Sequence, residues 1–124
     1  MGGFIRSDVK KEKCSVINVV TNKRIVEDFK GYCKKNNYPM NLMLELCMKQ
    51  FVDGKISVDN EKVVEINKLK EETLLLNTTI NSNNYQNFKV CCKENGYKMK
   101  NVITDFMINF VNGNFIIEVK KVND

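Results

Sequence analysis

Histidine is absent from this 124-residue chain, and with it the commonest general base at neutral pH. The five cysteines, Cys14, Cys33, Cys47, Cys91 and Cys92, are odd in number and form no C-x-x-C pair. Neither a zinc site nor a dithiol couple is spelled out by that spacing. Reduced thiols are expected instead, with Cys33 and Cys92 as small core fillers. No Gly-rich phosphate loop, serine elbow or paired-carboxylate motif occurs, so the expectation is a protein that is not an enzyme and that holds no metal and no cofactor. The groups left for specific chemistry are amides and ammonium groups. Asn18 and Asn77 each sit inside a short run rich in aliphatic and β-branched residues, and Lys98 and Lys100 stand just before a long apolar helical pattern. An amide offers donor and acceptor together, and a lysine offers charge.

Composition bounds what these groups can serve. A hydrophobic content of 43% is that of a globular protein able to bury a core. No apolar run approaches the roughly 20 residues needed to cross a bilayer. The opening "MGGFIRSDVKKEK" lacks the apolar stretch of a secretory signal, so a cytoplasmic location with no membrane partner is expected. The formal charge is +5, divided as +4 over residues 1–54, −1 over 55–73 and +2 over 74–124. That excess is compatible with a polyanionic partner without demanding one.

The elements that would position these residues come in duplicate. Sliding the chain by 59 positions aligns residues 15–54 with 74–113 without a gap, and 13 of the 40 pairs are identical. Among them are Asn18/Asn77, Asn22/Asn81, Phe29/Phe88, Cys33/Cys92, Asn36/Asn95, Tyr38/Tyr97, Met48/Met107, Phe51/Phe110 and Gly54/Gly113. Such self-similarity marks a repeated structural unit.

Each copy reads in three parts. "SVINVV" (15–20) and "LLLNTTI" (74–80) predict strands. Ile25, Phe29, Tyr32 and Cys33, and then Tyr85, Phe88 and Cys92, recur at helical spacing and predict a first helix. Asn36-Asn37 and Asn95-Gly96 suit the left-handed turn that ends it. A second helix is predicted over Met40–Asp53 and Met99–Asn112, apolar enough to be a core element. Gly54 and Gly113 follow at C-cap positions. After them "KISV" and "NFIIEV" read as a further pair of short strands. Asp59 is a good N-cap, and the pattern Val63, Val64, Ile66 and Leu69 suggests a connecting helix reaching to Thr73.

A single unit of about 40 residues cannot close a core, and its one strand has nothing to pair with. Two units can pair their strands antiparallel and interlock four helices behind them. In this respect each unit resembles the ribbon-helix-helix DNA-binding family that includes Arc, MetJ and CopG. The resemblance rests on a short strand with alternating residues, a first helix carrying "FKGYCKKNN" or "FKVCCKENG", and a second helix opening after "YPMN" or "YKMK". It implies a mainly α fold with a short antiparallel β-ribbon: a tandem ribbon-helix-helix pseudo-dimer of order β-α-α, linker helix, β-α-α. The division is a flexible N-terminal arm (1–13), a first unit (14–58), a helical linker (59–73), a second unit (74–119) and a tail (120–124), with the two units forming one intertwined domain.

The resemblance also implies a function. A two-stranded ribbon fits the major groove of double-stranded DNA, where each base pair shows its own hydrogen-bonding pattern. Strand alternation turns Ile17, Val19, Leu76 and Thr78 to the core and turns Val16, Asn18, Val20, Leu75, Asn77 and Thr79 outward as base readers. Asparagine suits the N6 and N7 edge of adenine, and valine and threonine methyls suit the thymine methyl. Phosphates are expected at the N-termini of the second helices, beside Met40, Asn41 and Leu42, and beside Met99, Lys100 and Asn101 with Lys98 adding charge. Arg6, Lys10, Lys11 and Lys13 of the arm are further backbone candidates. A monomer acting as an intramolecular pseudo-dimer can read an asymmetric site. The expected roles are a transcriptional repressor or an accessory protein of plasmid transfer (conjugation) or partition. The alternative is a protein-interaction module, antitoxin-like or for assembly, which uses the apolar outer positions Val16, Val20 and Leu75 to hold a protein.

Overall fold

In the computed structural model, which describes residues 13–114, two nine-residue strands form one antiparallel sheet and five helices pack on one side of it. The order is β1 (Cys14–Asn22), α1 (Lys23–Lys35), α2 (Met40–Val52), α3 (Asn60–Lys68), β2 (Thr73–Asn81), α4 (Ser82–Glu94) and α5 (Met99–Val111). The sheet pairs Cys14 with Asn81 at one end and Asn22 with Thr73 at the other, so that Asn18 faces Asn77 at its midpoint. The ladder runs one step past each end, with Lys23 N–H donating to the Glu72 carbonyl at 2.8 Å and Ser82 N–H to the Lys13 carbonyl at 2.9 Å.

Local chemistry repeats wherever the repeat is identical. Asn22 Oδ1 accepts from Ile25 N–H and caps α1, and Asn81 Oδ1 accepts from Asn84 N–H and caps α4, each at 3.1 Å. At the other end of those helices Asn36 Nδ2 donates to the Tyr32 carbonyl and Asn95 Nδ2 to the Cys91 carbonyl. The chain then reverses through Asn37 at φ 59° and Gly96 at φ 74°. Tyr38 N–H reaches back to the Cys33 carbonyl, and Tyr97 N–H to that of Cys92. This is the left-handed helix ending in which a residue without a Cβ penalty is favoured.

The core lies between the inner face of the sheet and the helices. Ile17, Val19, Leu76 and Ile80 contribute from the strands, together with Phe29, Phe51, Phe88 and Phe110 from the helices. Helices from opposite halves pack on each other, α1 on α5 and α2 on α4. Phe29 meets Phe110 with ring centroids 5.7 Å apart, while their repeat equivalents Phe88 and Phe51 meet at 5.6 Å. Tyr38 packs on Phe110, and Tyr97 on Phe51. Burying each phenylalanine contributes about 1.5–3 kcal/mol, and edge-on ring pairs add about 0.5–1.5 kcal/mol. Neither half could gather these contacts alone.

Three expectations need correction. Residues 55–58, "KISV", form no strand: the sheet consists of β1 and β2 alone among the described residues. Ile56 and Val58 are half-buried against the core instead, so their alternation serves packing without a ladder. "NFIIEV" falls, apart from Asn114, outside the described residues. The connecting helix stops at Lys68 rather than running to Thr73. Lys70 turns left-handed at φ 54° and Thr73 already belongs to β2. Thr78, assigned to the core, is only half-buried opposite Ile17.

Candidate nucleic-acid interface

Alternation along β1 and β2 sorts the six expected base readers onto one face. Val16 is 61% exposed, and Val20 and Leu75 are 49% exposed each. Asn18, Asn77 and Thr79 are exposed with them. The register sets Val16 opposite Thr79, Asn18 opposite Asn77 and Val20 opposite Leu75. At the centre Asn77 Nδ2 donates to Asn18 Oδ1, which joins the two amides across the strands. That bond uses one donor hydrogen and one acceptor lone pair. The second Asn77 N–H, both Asn18 N–H groups and the Asn77 carbonyl oxygen remain available, because an amide carries two donors and one two-lone-pair acceptor.

Charge is confined to the rims of the ribbon. At the Asn22 end, Arg24 is held by both Glu71 oxygens at 2.8 Å, and Lys23 lies 3.6 Å from Glu72. The Glu71 carboxyl is pulled below the usual carboxylate range, first by the hydrogen bond from Asn22 and then by that from Arg24. Two of the cations nearest this end are therefore already paired. At the opposite end Lys13 is exposed, while Arg6, Lys10 and Lys11 of the expected arm lie outside the described residues.

The two expected phosphate sites are unlike. α2 opens on Met40, Asn41 and Leu42 with no side-chain cap, which leaves the N–H groups of its first turn without a side-chain partner, as an anion site requires. Leu42 is 49% exposed and Asn41 half-buried. α5 also lacks a side-chain cap, and Lys98 and Lys100 are exposed beside it. Asn101, however, is only 6% exposed, which corrects its assignment as a phosphate contact. Its Nδ2 donates to Asn60 Oδ1 of α3 at 3.2 Å, and its backbone N–H donates to the Lys98 carbonyl at 3.0 Å.

The cause is α3, which packs on α5 and buries Val63 completely. Its start meets a line of polar residues one turn apart. Asp59 N–H donates to Asp105 Oδ2 at 3.4 Å, and Asn109 Nδ2 donates to the same oxygen at 3.1 Å. Burial pushes the Asp105 carboxyl up, opposed by the Asp59 N–H and the Lys62 charge. Asn101 Oδ1 and Asp105 Oδ1 are buried with no hydrogen-bond partner among the described residues. The spacing of Asn101, Asp105 and Asn109 along α5 was the signal that could have revealed this docking face. Three polar residues four apart in a largely apolar helix form a stripe that needs polar company.

Three of the five thiols are buried, while Cys14 is exposed at the end of β1. Cys33 and Cys92 are in the core, where burial pushes them up to about 11 and about 12, and Cys47 is raised by burial as well. Such thiols stay protonated and unreactive at neutral pH. Among the described residues no helix is long and apolar enough to cross a membrane. Compared with protein-family models, curated proteins and solved structures, the chain matches none.

Proposed function

We propose that this chain binds double-stranded DNA sequence-specifically by laying the β1–β2 ribbon in the major groove, with its two β-α-α halves acting as a tandem ribbon-helix-helix pseudo-dimer. One observation carries the reading: Asn18 and Asn77, equivalent in the repeat, are also cross-strand partners at the midpoint of an exposed ribbon. Repeat and register coincide at the point where a pseudo-twofold axis would pass. The exchanged contacts Phe29–Phe110 and Phe88–Phe51 support the same axis. Paired strands lie about 4.8 Å apart, and the groove is about 12 Å wide. The ribbon with its side chains fits that width. The free N–H groups of α2, and the lysines beside α5, would then grip the flanking phosphates. In a cell such a protein would serve as a small repressor or as an accessory protein of plasmid transfer or partition.

A gel-shift titration on genomic fragments, repeated over a salt series, tests this. Asn18→Ala and Asn77→Ala should each weaken specific binding by about 1–3 kcal/mol while leaving random-sequence binding nearly unchanged. Equal losses on specific and random DNA would remove the base-reading role. Exposure of Val16, Val20 and Leu75 favours a second reading, a protein-interaction module, because most surfaces built to meet DNA carry more charge. Failure to bind any fragment at low salt would select it.

A further inference from the structure

We infer that the ribbon face is built for A·T-rich DNA, with an adenine at the centre and thymine methyl groups beside Val20 and Leu75. This inference rests on the DNA-binding reading above. Three observations point to it. First, none of the six outward residues Val16, Asn18, Val20, Leu75, Asn77 and Thr79 is charged. Guanine is most often read by an arginine or lysine bonded to both O6 and N7, and cytosine by a carboxylate. The face offers neither. Second, the central amides remain equipped for adenine even with their mutual bond intact. The Asn77 carbonyl oxygen can accept from N6–H while its second N–H donates to N7, and Asn18 keeps two N–H groups for a neighbouring acceptor such as thymine O4.

Third, the positions flanking the centre differ from each other. Val20 faces Leu75 across the strands on one side, and Val16 faces Thr79 on the other, all four exposed. An apolar side chain pressed on the exposed amino group of cytosine or the O6 of guanine would strip it of water and return no hydrogen bond. The thymine methyl suffers no such loss. The Val20–Leu75 side presents branched hydrocarbon from both strands, whereas Thr79 brings a hydroxyl that can meet a polar base edge. Thymine should therefore be required most strictly beside Val20 and Leu75, and more loosely beside Val16 and Thr79.

The experiment is selection of binding sites from random duplexes by the full chain, followed by competition binding with modified versions of the selected site. Replacing the thymines on the stricter side by uracil removes only the methyl groups and should weaken binding about fourfold per contacted methyl. Replacing the central adenine by its 7-deaza analogue should weaken it by fivefold or more. In the Val20→Ala, Leu75→Ala double variant, whose side chains are exposed and not part of the core, the uracil penalty should disappear. A selected site with G·C at its centre, or a uracil duplex bound as tightly as the thymine one, overturns the A·T inference while leaving sequence-specific DNA binding intact. Absence of any enrichment from the random pool overturns both.

Discussion

Asp105→Asn should make this protein more stable, and the gain should depend on pH. Asp105 is 3% exposed, and its Oδ1 has no partner among the described residues. Asn101 Oδ1, one helical turn earlier, is in the same condition. Leaving a buried acceptor unsatisfied costs about 1–3 kcal/mol, and more when it carries charge. Burial raises the folded-state pKa of Asp105 above its unfolded value. For a carboxyl shifted in that direction, the favourable contribution is fully present below the unfolded pKa and is lost as pH rises through the folded pKa. As pH rises through the folded pKa, the wild-type protein comes to hold a buried carboxylate with one oxygen left without a partner among the described residues. Asparagine keeps an oxygen for Asp59 N–H and Asn109 Nδ2, removes the charge, and replaces the orphaned oxygen by an amide nitrogen one helical turn from the Asn101 side chain. The expected gain at pH 7.5 is about 1–3 kcal/mol, read as a raised urea midpoint or a Tm higher by about 4–8 °C per kcal/mol. As pH falls through the folded-state pKa the wild-type carboxyl binds its proton and the gap narrows. A variant no more stable than wild type at pH 7.5, or a gap that stays constant from pH 4 to 8, would refute the reasoning.

Other expectations follow from the repeated caps and the rims of the ribbon. Asn81→Ala should cost about 1 kcal/mol in urea denaturation through loss of the α4 cap. Asn22→Ala should cost more than loss of a cap alone, because it also releases its 2.6 Å bond to Glu71. Gly96→Ala should destabilise by about 1 kcal/mol through its φ of 74° alone, since an added Cβ meets nothing within 4 Å. Asn37→Gly, at the equivalent turn, should be nearly neutral in the same assay. Replacing Lys98 and Lys100 together by alanine should weaken binding to all DNA and reduce the salt slope by up to about 2 in log–log form. An unchanged slope would take both lysines out of the phosphate contacts.

Much of this architecture was legible because the chain states it twice. Strand alternation assigned Val16, Asn18 and Val20 outward and Ile17 and Val19 inward, and the 59-residue offset identified Asn18 and Asn77 as equivalents. Identical residues such as Asn22/Asn81 and Asn36/Asn95 perform identical capping in both halves. Legibility failed where the halves meet something they do not share. Nothing in "KISV" says whether a partner edge exists, and pairing is a property of the whole sheet. Asn101, like its equivalent Leu42, was expected at an open helix start because both stand in the first turn of a second helix. Only the path of α3 decides that Asn101 is covered and Leu42 is not.

That asymmetry has a physical logic that a homodimer could not use. α3 docks on one half only, and its start brings donors and polar groups: the Asp59 N–H and the Asn60 amide. The α5 face beneath it accordingly carries Asn101, Asp105 and Asn109, whereas the equivalent α2 positions are Leu42, Leu46 and Gln50. If two identical chains formed the domain, one sequence would have to serve both a covered and an open face. On the pseudo-dimer reading, joining the halves would remove this constraint, so the covered helix could diverge toward polarity while the open one keeps apolar residues at its tip. On the DNA-binding reading, the same freedom extends to the grip on the backbone. One side would hold phosphate through bare N–H groups beside Leu42, and the other through Lys98 and Lys100 beside a start half-closed by the linker. The first contact would be short-ranged and geometric, the second longer-ranged and screened by salt. Raising the salt concentration should then loosen the α5 side of the complex before the α2 side, so a footprint taken across a salt series should shrink from one end of the site.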